Sequence, residues 1–87
     1  MGAQALIHPM PRIPDSLLGE RINVTALARF HISKNGTQTV ELIMPTHEPL
    51  LDRAIIEALR KWRFAPALRD GIAVEATIDL RIPIQVR

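Results

Sequence analysis

The side chains that could carry chemistry are few in this 87-residue sequence, and they are scattered along it. The three histidines, His8, His31 and His47, share no spacing typical of a metal site, so solvated histidines are the simpler interpretation. Ser16 and Ser33 have no plausible base beside them, and the four glycines form no phosphate-binding loop. The sequence therefore predicts no enzyme: no catalytic residue, no metal, no cofactor and no small-molecule substrate.

Composition favours a small binding domain over a nucleic-acid-binding or membrane-spanning protein. The net charge of +2 is slight, and one Trp and two Phe are too few rings for stacking on single-stranded nucleic acid. No apolar run approaches the ~20 residues needed to cross a bilayer. The absence of cysteine excludes disulfides and thiolate metal sites. We expect one domain that is soluble as given, even if it is cut from a longer anchored protein, with no nucleic acid as a partner.

A strict alternation of apolar and other, mostly polar residues runs from residue 72 to residue 86. A period of two predicts one long β-strand with one face on a core and the other in water. Because this strand closes the sequence, we expect its outer edge to stay unpaired, and such an edge is either protected or used to bind an extended peptide. The predicted partner-binding residues are Glu75, Ala76, Thr77, Ile78, Asp79, Leu80, Arg81 and Ile82. Asp79 and Arg81 would select partners by charge, and Pro83, which lacks an N–H, would limit pairing toward the chain end.

Two further strands must support this edge. Residues 22–32 alternate in the same way, and residues 40–44 mark a second strand. A three-residue loop with Gly36 in the left-handed region sets apolar residues opposite each other, whereas a two-residue loop would oppose apolar and charged ones. The predicted pairs are Phe30 with Val40, Ala28 with Leu42, and Ala26 with Met44.

A helical pattern covers residues 49–63. Thr46 or Glu48 can cap its start, and Pro49 suits its first turn. Trp62 continues the apolar stripe, so we expect it in the core against Ala26, Ala28 or the last strand. The basic residues near the helix end either complement the helix dipole on a solvated face or contact an acidic partner; they are Arg60, Lys61, Arg63 and Arg69.

These elements predict an α+β fold. Its sheet is three-stranded and antiparallel, in the order 2-1-3 when the strands are numbered along the chain. One main helix and a short N-terminal helical turn, capped by Asp15 or Ser16, lie on one face. Residues 1–13 are interpreted as the end of a proline-rich linker, and residues 14–87 as the domain.

A basic-Trp-basic-aromatic-x-Pro run lies at the end of the predicted helix, as Lys61-Trp62-Arg63-Phe64-Ala65-Pro66. This run resembles the end of the second helix in the C-terminal domain of TonB-family energy transducers. The resemblance continues in residues 28–36, 40–52 and 70–86, and spans residues 14–87. The family usually carries Tyr-Pro near the domain start; this sequence has no tyrosine, and Met10-Pro11 or Ile13-Pro14 takes that place.

The resemblance implies a periplasmic domain of an inner-membrane-anchored protein. Such proteins work with the ExbB–ExbD proton channel through a region upstream of this sequence. Their C-terminal domain engages the extended N-terminal segment of an outer-membrane TonB-dependent transporter by β-strand addition. Force then passes along the linker for uptake of cargo such as iron complexes.

Two alternatives use the same scaffold. One is a TolA-like envelope domain that binds another periplasmic protein. The other is a self-associating module, in which two copies of the last strand pair as a homodimer. The self-associating module depends on the same free edge as the transducer, so a titration with extended peptides is needed to separate the two.

Overall fold

The computed structural model describes residues 2–86, so Met1 and Arg87, the outer ends of the two predicted segments, lie outside the described residues. The elements in chain order are β1 (Gln4–Ile7), a 3-10 turn (Asp15–Leu17), β2 (Ile22–Ile32), β3 (Gln38–Met44), α1 (Pro49–Leu59), β4 (Arg63–Ala65), β5 (Ala67–Arg69), β6 (Ile72–Val74) and β7 (Ala76–Val86). The fold class is α+β, as predicted.

The central sheet is antiparallel and has the order β3-β2-β7, which confirms the predicted 2-1-3 order. β2 is the middle strand: its Phe30 lies opposite Val40 of β3 and opposite Ile78 of β7. β7 pairs with β2 over its whole length, from Val86 opposite Ile22 to Ala76 opposite Ile32, without a register shift. The β2–β7 pair is therefore the longest regular ladder among the described residues.

The apolar face of this sheet is buried because every second side chain of β2 and β7 points to the same side. Ala26, Ala28 and Phe30 of β2 are fully buried, and so are Leu51 and Ile55 of α1, which covers this face. The remaining core residues are Leu17, Ile32, Leu59, Trp62, Phe64, Ile82, Ile84 and Val86. Full burial of each large apolar side chain stabilises the fold by about 1.5–3 kcal/mol.

The β2–β3 turn has the predicted three-residue loop. Ser33 donates its backbone N–H to Thr37 at 2.8 Å, and Gly36 donates to Ser33 at 3.1 Å. Gly36 has a φ of 87°, the left-handed conformation that glycine adopts at little cost. The pairs Phe30–Val40 and Ala28–Leu42 follow from this turn, as predicted.

The third predicted pair, Ala26 with Met44, is wrong. Met44 lies opposite Leu27, although Leu42 lies opposite the adjacent Ala28. β3 thus carries one extra residue, Ile43, as a β-bulge. Counting residues outward from the turn assumes one residue of β3 for each residue of β2, so it cannot reveal such an insertion.

The start of α1 is tied down by Asp52 rather than by a conventional cap. Glu48 occupies the N-cap position but makes no side-chain cap bond. Thr46 donates both its backbone N–H (2.8 Å) and its hydroxyl (2.7 Å) to Asp52 Oδ1, and Thr46 Oγ1 accepts from the Glu48 N–H at 3.2 Å. The 3-10 turn also has no side-chain cap: Pro14 is its N-cap residue, so neither Asp15 nor Ser16 takes the predicted capping role.

The helix ends at Leu59, four residues before the predicted end at residue 63. Gln38 of β3 donates its Nε2 to the carbonyls of Leu59 (2.8 Å) and Trp62 (3.2 Å). In a helix that reached residue 63, the Leu59 carbonyl would instead have accepted from the backbone N–H of Arg63. Pro66 holds the residue before it in an extended conformation. The chain therefore leaves the helix and forms β4 instead.

Trp62 is buried, as predicted, with 8% of its surface exposed, but its neighbour differs. Its ring stacks on Phe30, with centroids 5.4 Å apart and planes at 18°. The indole therefore packs on the middle strand at Phe30, a buried residue of β2 like the predicted neighbours Ala26 and Ala28.

The predicted single strand over residues 72–86 is two strands. β6 pairs with β5 in a separate hairpin around Asp70 and Gly71, whose φ values of 54° and 78° are typical of a type I′ turn. Glu75 separates β6 from β7. The alternation continues through the break, so periodicity alone could not show that the chain changes partner there.

The N-terminal segment, interpreted as linker, contains a strand. β1 pairs antiparallel with β4, with Gln4 opposite Ala65 and Ala5 opposite Phe64. A four-residue strand ahead of the proline-rich stretch, with mostly exposed side chains, carries no strong periodic signal. The division of the chain at residues 13 and 14 stays a prediction.

We predict that Gly36→Ala destabilises the fold strongly. A β-carbon at Gly36 would overlap the backbone carbonyl oxygen of Phe64, in addition to the cost of about 1–2 kcal/mol for an L-residue in the left-handed region. The free energy of unfolding, measured in urea, tests this.

Gly71→Ala is the matched control. Gly71 also has a positive φ of 78°, but a β-carbon there meets no atom within 4 Å. It should lose only the conformational cost, about 1–2 kcal/mol. Equal losses in the two variants would mean that the contact of the turn with β4 contributes nothing.

Candidate functional site

The two edges of the central sheet differ in regularity. β3 is seven residues long and is interrupted by the bulge at Ile43, which is one of the ways in which proteins prevent edge pairing. β7 is eleven residues long, and its ladder to β2 has no shift. Among the described residues β7 pairs only with β2. Its outer edge is therefore the more suitable of the two for an added strand.

Hydrogen-bond direction identifies which backbone groups of β7 face outward. Ser33 directs its N–H toward β3, so Ile32 and every second residue before it direct theirs toward β7. The partners of these residues, the even-numbered residues from Ala76 to Val86, point inward. The N–H groups of Thr77, Asp79 and Arg81 therefore point away from the sheet. Pro83, which has no N–H to donate, falls in the same outward set.

The predicted site residues lie on β7, with one exception. Residues 76–82 belong to β7, whereas Glu75 lies in the break between β6 and β7. Ile82 is buried, and Ile78 and Leu80 are half-buried on the core face. Thr77, Asp79 and Arg81 are exposed on the opposite face. A cleft of about 380 Å³ opens at the start of the edge, between Glu75 to Thr77 and the end of β2.

A polar network crosses the exposed face of the sheet. Arg29 of β2 donates Nε and Nη2 to the two carboxylate oxygens of Asp79, at 2.9 and 3.1 Å. His31 lies beside it, with Nε2 3.4 Å from Glu41 and Nδ1 3.3 Å from Thr77. These contacts join β3, β2 and β7 on the side away from the core. They were not predicted, although pairing the last strand with the middle one in register places Arg29 opposite Asp79.

The two charged side chains of β7, Asp79 and Arg81, differ in whether they have an ionic partner. The hydrogen bonds and charge of Arg29 lower the pKa of Asp79 below its usual range, and Asp79 raises the pKa of Arg29. Arg81 lies opposite the apolar Leu27, and within residues 2–86 it has no ion pair. The unsatisfied charge on the outer strand is thus the cation at Arg81.

The other candidates from the sequence do not form a site in the described part of the chain. His8, His31 and His47 lie apart, and no group of three or more possible metal ligands occurs within residues 2–86. Nor does any helix there have the length and apolar character needed to span a bilayer. The basic residues lie outside the central sheet: Arg60 and Lys61 follow α1, Arg63 is in β4 and Arg69 is in β5.

The Arg29–Asp79 pair gives a prediction about pH. Because the pKa of Asp79 is lower in the folded state, the unfolded state binds the proton first, and the pair's stabilisation is lost as the pH falls through the folded-state pKa. We expect the wild-type chain to be more stable than Asp79→Asn near neutral pH. The difference should shrink below about pH 4, where carboxylates in unfolded chains protonate, and also in 1 M salt. Urea unfolding across this range measures it; a difference independent of pH would contradict the pair.

Comparison with known proteins identifies the family of the chain. The family model described as "Gram-negative bacterial TonB protein C-terminal" matches residues 10–84, which include α1, the Trp62 region and most of β7. A comparison with curated proteins gives no significant match. Since the family model covers most of the sequence, including the sheet and its open edge, the chain belongs to the family of TonB C-terminal domains.

Proposed function

We propose that this chain is the partner-binding domain of a periplasmic energy transducer and that it takes up an extended segment of an outer-membrane transporter along the free edge of β7. The observation that supports this most directly is the eleven-residue, regular β7 ladder, whose opposite edge carries unpaired backbone groups. A soluble domain that kept such an edge without using it would risk indiscriminate pairing.

The backbone geometry defines what the edge can accept. The outward N–H groups of Thr77, Asp79 and Arg81 recur every second residue, at about 7 Å, the repeat of an antiparallel partner. Pro83 offers a carbonyl but no N–H, so regular pairing weakens there. The edge is thus suited to a short segment of about five to seven residues, held mainly by main-chain hydrogen bonds.

The two faces of β7 set the side-chain pattern of the partner. Residues added opposite Ile78 and Leu80 would lie against half-buried apolar side chains at the margin of the core. Residues added opposite Thr77, Asp79 and Arg81 would lie on the exposed face. An alternating segment, apolar on one side and polar on the other, would therefore bury the most apolar surface.

The remaining parts of the proposal rest on family membership. TonB C-terminal domains are transport-associated. An inner-membrane anchor upstream, coupling to an ExbB–ExbD proton channel and uptake of cargo such as iron complexes are proposed for this chain on that basis.

Thr77→Pro tests the edge. Proline at this position removes an outward N–H, whereas the ladder to β2 needs none there, so the variant should stay folded but lose binding. The probes are synthetic peptides copied from transporter N-terminal segments, and the measurement is backbone amide shifts along β7. Thr77→Ala is the matched control: it loses the side chain, keeps the N–H and should bind about as well as wild type.

Each outcome of this titration has a defined meaning. A folded Thr77→Pro variant that binds normally would remove the edge as the site and direct attention to the basic residues near Arg60 and Arg63. Shifts on β7 that depend on protein concentration without peptide would instead indicate pairing of two copies.

Charge at Arg81 should modulate the affinity. A peptide with a carboxylate opposite Arg81 should bind more tightly than its lysine analogue, and Arg81→Glu should reverse the order. Exposed cross-strand charge pairs contribute about 0.2–1 kcal/mol, so the expected ratio is about two- to fivefold. Asp79→Asn is the control: because Asp79 is already paired with Arg29, its loss should leave the preference for the acidic peptide in place.

A further inference from the structure

The N-terminal segment is attached to the body of the domain by a small number of definable contacts. β1 makes a two-stranded sheet with β4, in which Ile7 lies opposite Arg63 and the register shifts between Ala5 and Ile7. Beyond β1, the carbonyl of Pro9 accepts a hydrogen bond from Trp62 Nε1 at 2.9 Å. We refer to residues 4–9 as the strap.

The strap is only loosely bound elsewhere. Leu6 and Ile7 are 63% and 57% exposed, so they contribute little apolar burial. Ala3 and Ala5 are the neighbouring side chains packed partly against the core. The strap also lies outside residues 10–84, the range matched by the family model. Its attachment is therefore a feature of this chain that family membership does not supply.

Trp62 is the residue that joins the strap to the core. Its indole N–H donates to the Pro9 carbonyl, and the His8 and Trp62 rings make a T-shaped contact with centroids 5.8 Å apart. The face of the same indole stacks on Phe30. Phe30 in turn lies opposite Ile78, within the proposed partner-binding edge. A short continuous set of contacts thus links the strap to that edge.

We propose that the strap is a releasable attachment held by Trp62. While the attachment is intact, tension applied from the N-terminal side passes through Trp62 into the middle strand, and it no longer does so once the strap detaches. This inference rests on the proposed transducer function for its purpose, but not for its structure. A pull on the N-terminal side separates Gln4 from Ala65 first and reaches Pro9 last. While Pro9 is held, load enters the core beside Phe30; after release it enters at the 3-10 turn, and the β2–β7 ladder stays intact.

Hydrogen exchange on the full chain tests the release equilibrium. Trp62 is the single tryptophan, so its indole N–H gives one unambiguous NMR signal. Opening of a sub-global unit gives its members one common protection, below that of the rest of the fold. We expect the indole N–H and the protected amides of β1 and β4 to share a protection at least about tenfold lower than that of β2 and β7. Equal protection in all four strands would overturn the proposal.

Trp62→Phe tests the holder, since it keeps an aromatic ring for Phe30 and removes the N–H donor. A net hydrogen bond contributes about 0.5–1.5 kcal/mol, so exchange in β1 should rise about two- to tenfold. Ile55→Val is the matched control: it weakens the core away from the strap and should not change the exchange of β1 relative to wild type. An unchanged hydrogen-exchange rate in β1 of Trp62→Phe would show that the Trp62 N–H does not hold the strap. If that variant does not fold, the comparison of strands in the wild-type chain still shows whether the strap opens separately.

Single-molecule pulling tests the load path directly. The chain has no cysteine, so Gly2→Cys and Gln85→Cys provide unique handles ahead of the strap and near the end of β7. We expect a first extension of about 25 Å, the length of some eight extended residues, before the main rupture. A single rupture would overturn the proposal. Because none of these measurements uses a peptide, their failure leaves the edge proposal standing, and failure of peptide binding leaves them interpretable.

Discussion

Phe30 is the buried residue whose contacts join the other elements of this small fold. It is fully buried in the middle of β2, opposite Val40 on one side and Ile78 on the other. Its ring stacks on Trp62 and meets Phe64 at 4.9 Å. In a domain of this length a single core must hold every element, and these aromatic contacts join the central sheet to the segment after α1. Trp62 and Phe64 could not both reach this ring if α1 continued to residue 63.

The asymmetry of the two sheet edges follows from the position of β2. A middle strand uses its hydrogen-bonding groups on both sides and leaves two edges to be managed. β3 has a bulge at Ile43, and its residue Gln38 is committed to the end of α1. β7 has no such commitment, and only Pro83 limits it. The exposed network through Arg29 and Asp79 holds β7 to β2 from the solvent side, so the strand stays straight while its outer groups remain available.

The sequence predicted the features that depend on the alternation of apolar and polar residues. It did not predict features that depend on a contact between residues far apart in the chain. The three long strands, their order and the Gly36 turn follow from side-chain alternation, because a shift of one residue would expose the core. The end of α1 depends on Gln38, a residue 21 positions away from Leu59, and no local pattern indicates that contact. The break at Glu75 interrupts no alternation, since β6 and β7 keep the same parity while they pair with different strands. The stretch of residues proposed as the site was predictable. The ion pair between Asp79 and Arg29 was not, because predicting it requires the register of β2 against β7.

Under the proposed function, recognition through the backbone edge of β7 would leave only a small part of the selectivity to side chains. Main-chain hydrogen bonds are the same for any extended segment, so discrimination must come from the half-buried Ile78 and Leu80 on one face and from Arg81 on the other. Each of these three side chains is exposed or half-buried, so each contributes only a small part of the binding free energy. A domain that grips in this way tolerates variation among the segments that it binds, provided that they are extended and correctly patterned. Under the proposed function, such tolerance would let the domain bind segments of several partners, whereas a deep, specific pocket would restrict it to one.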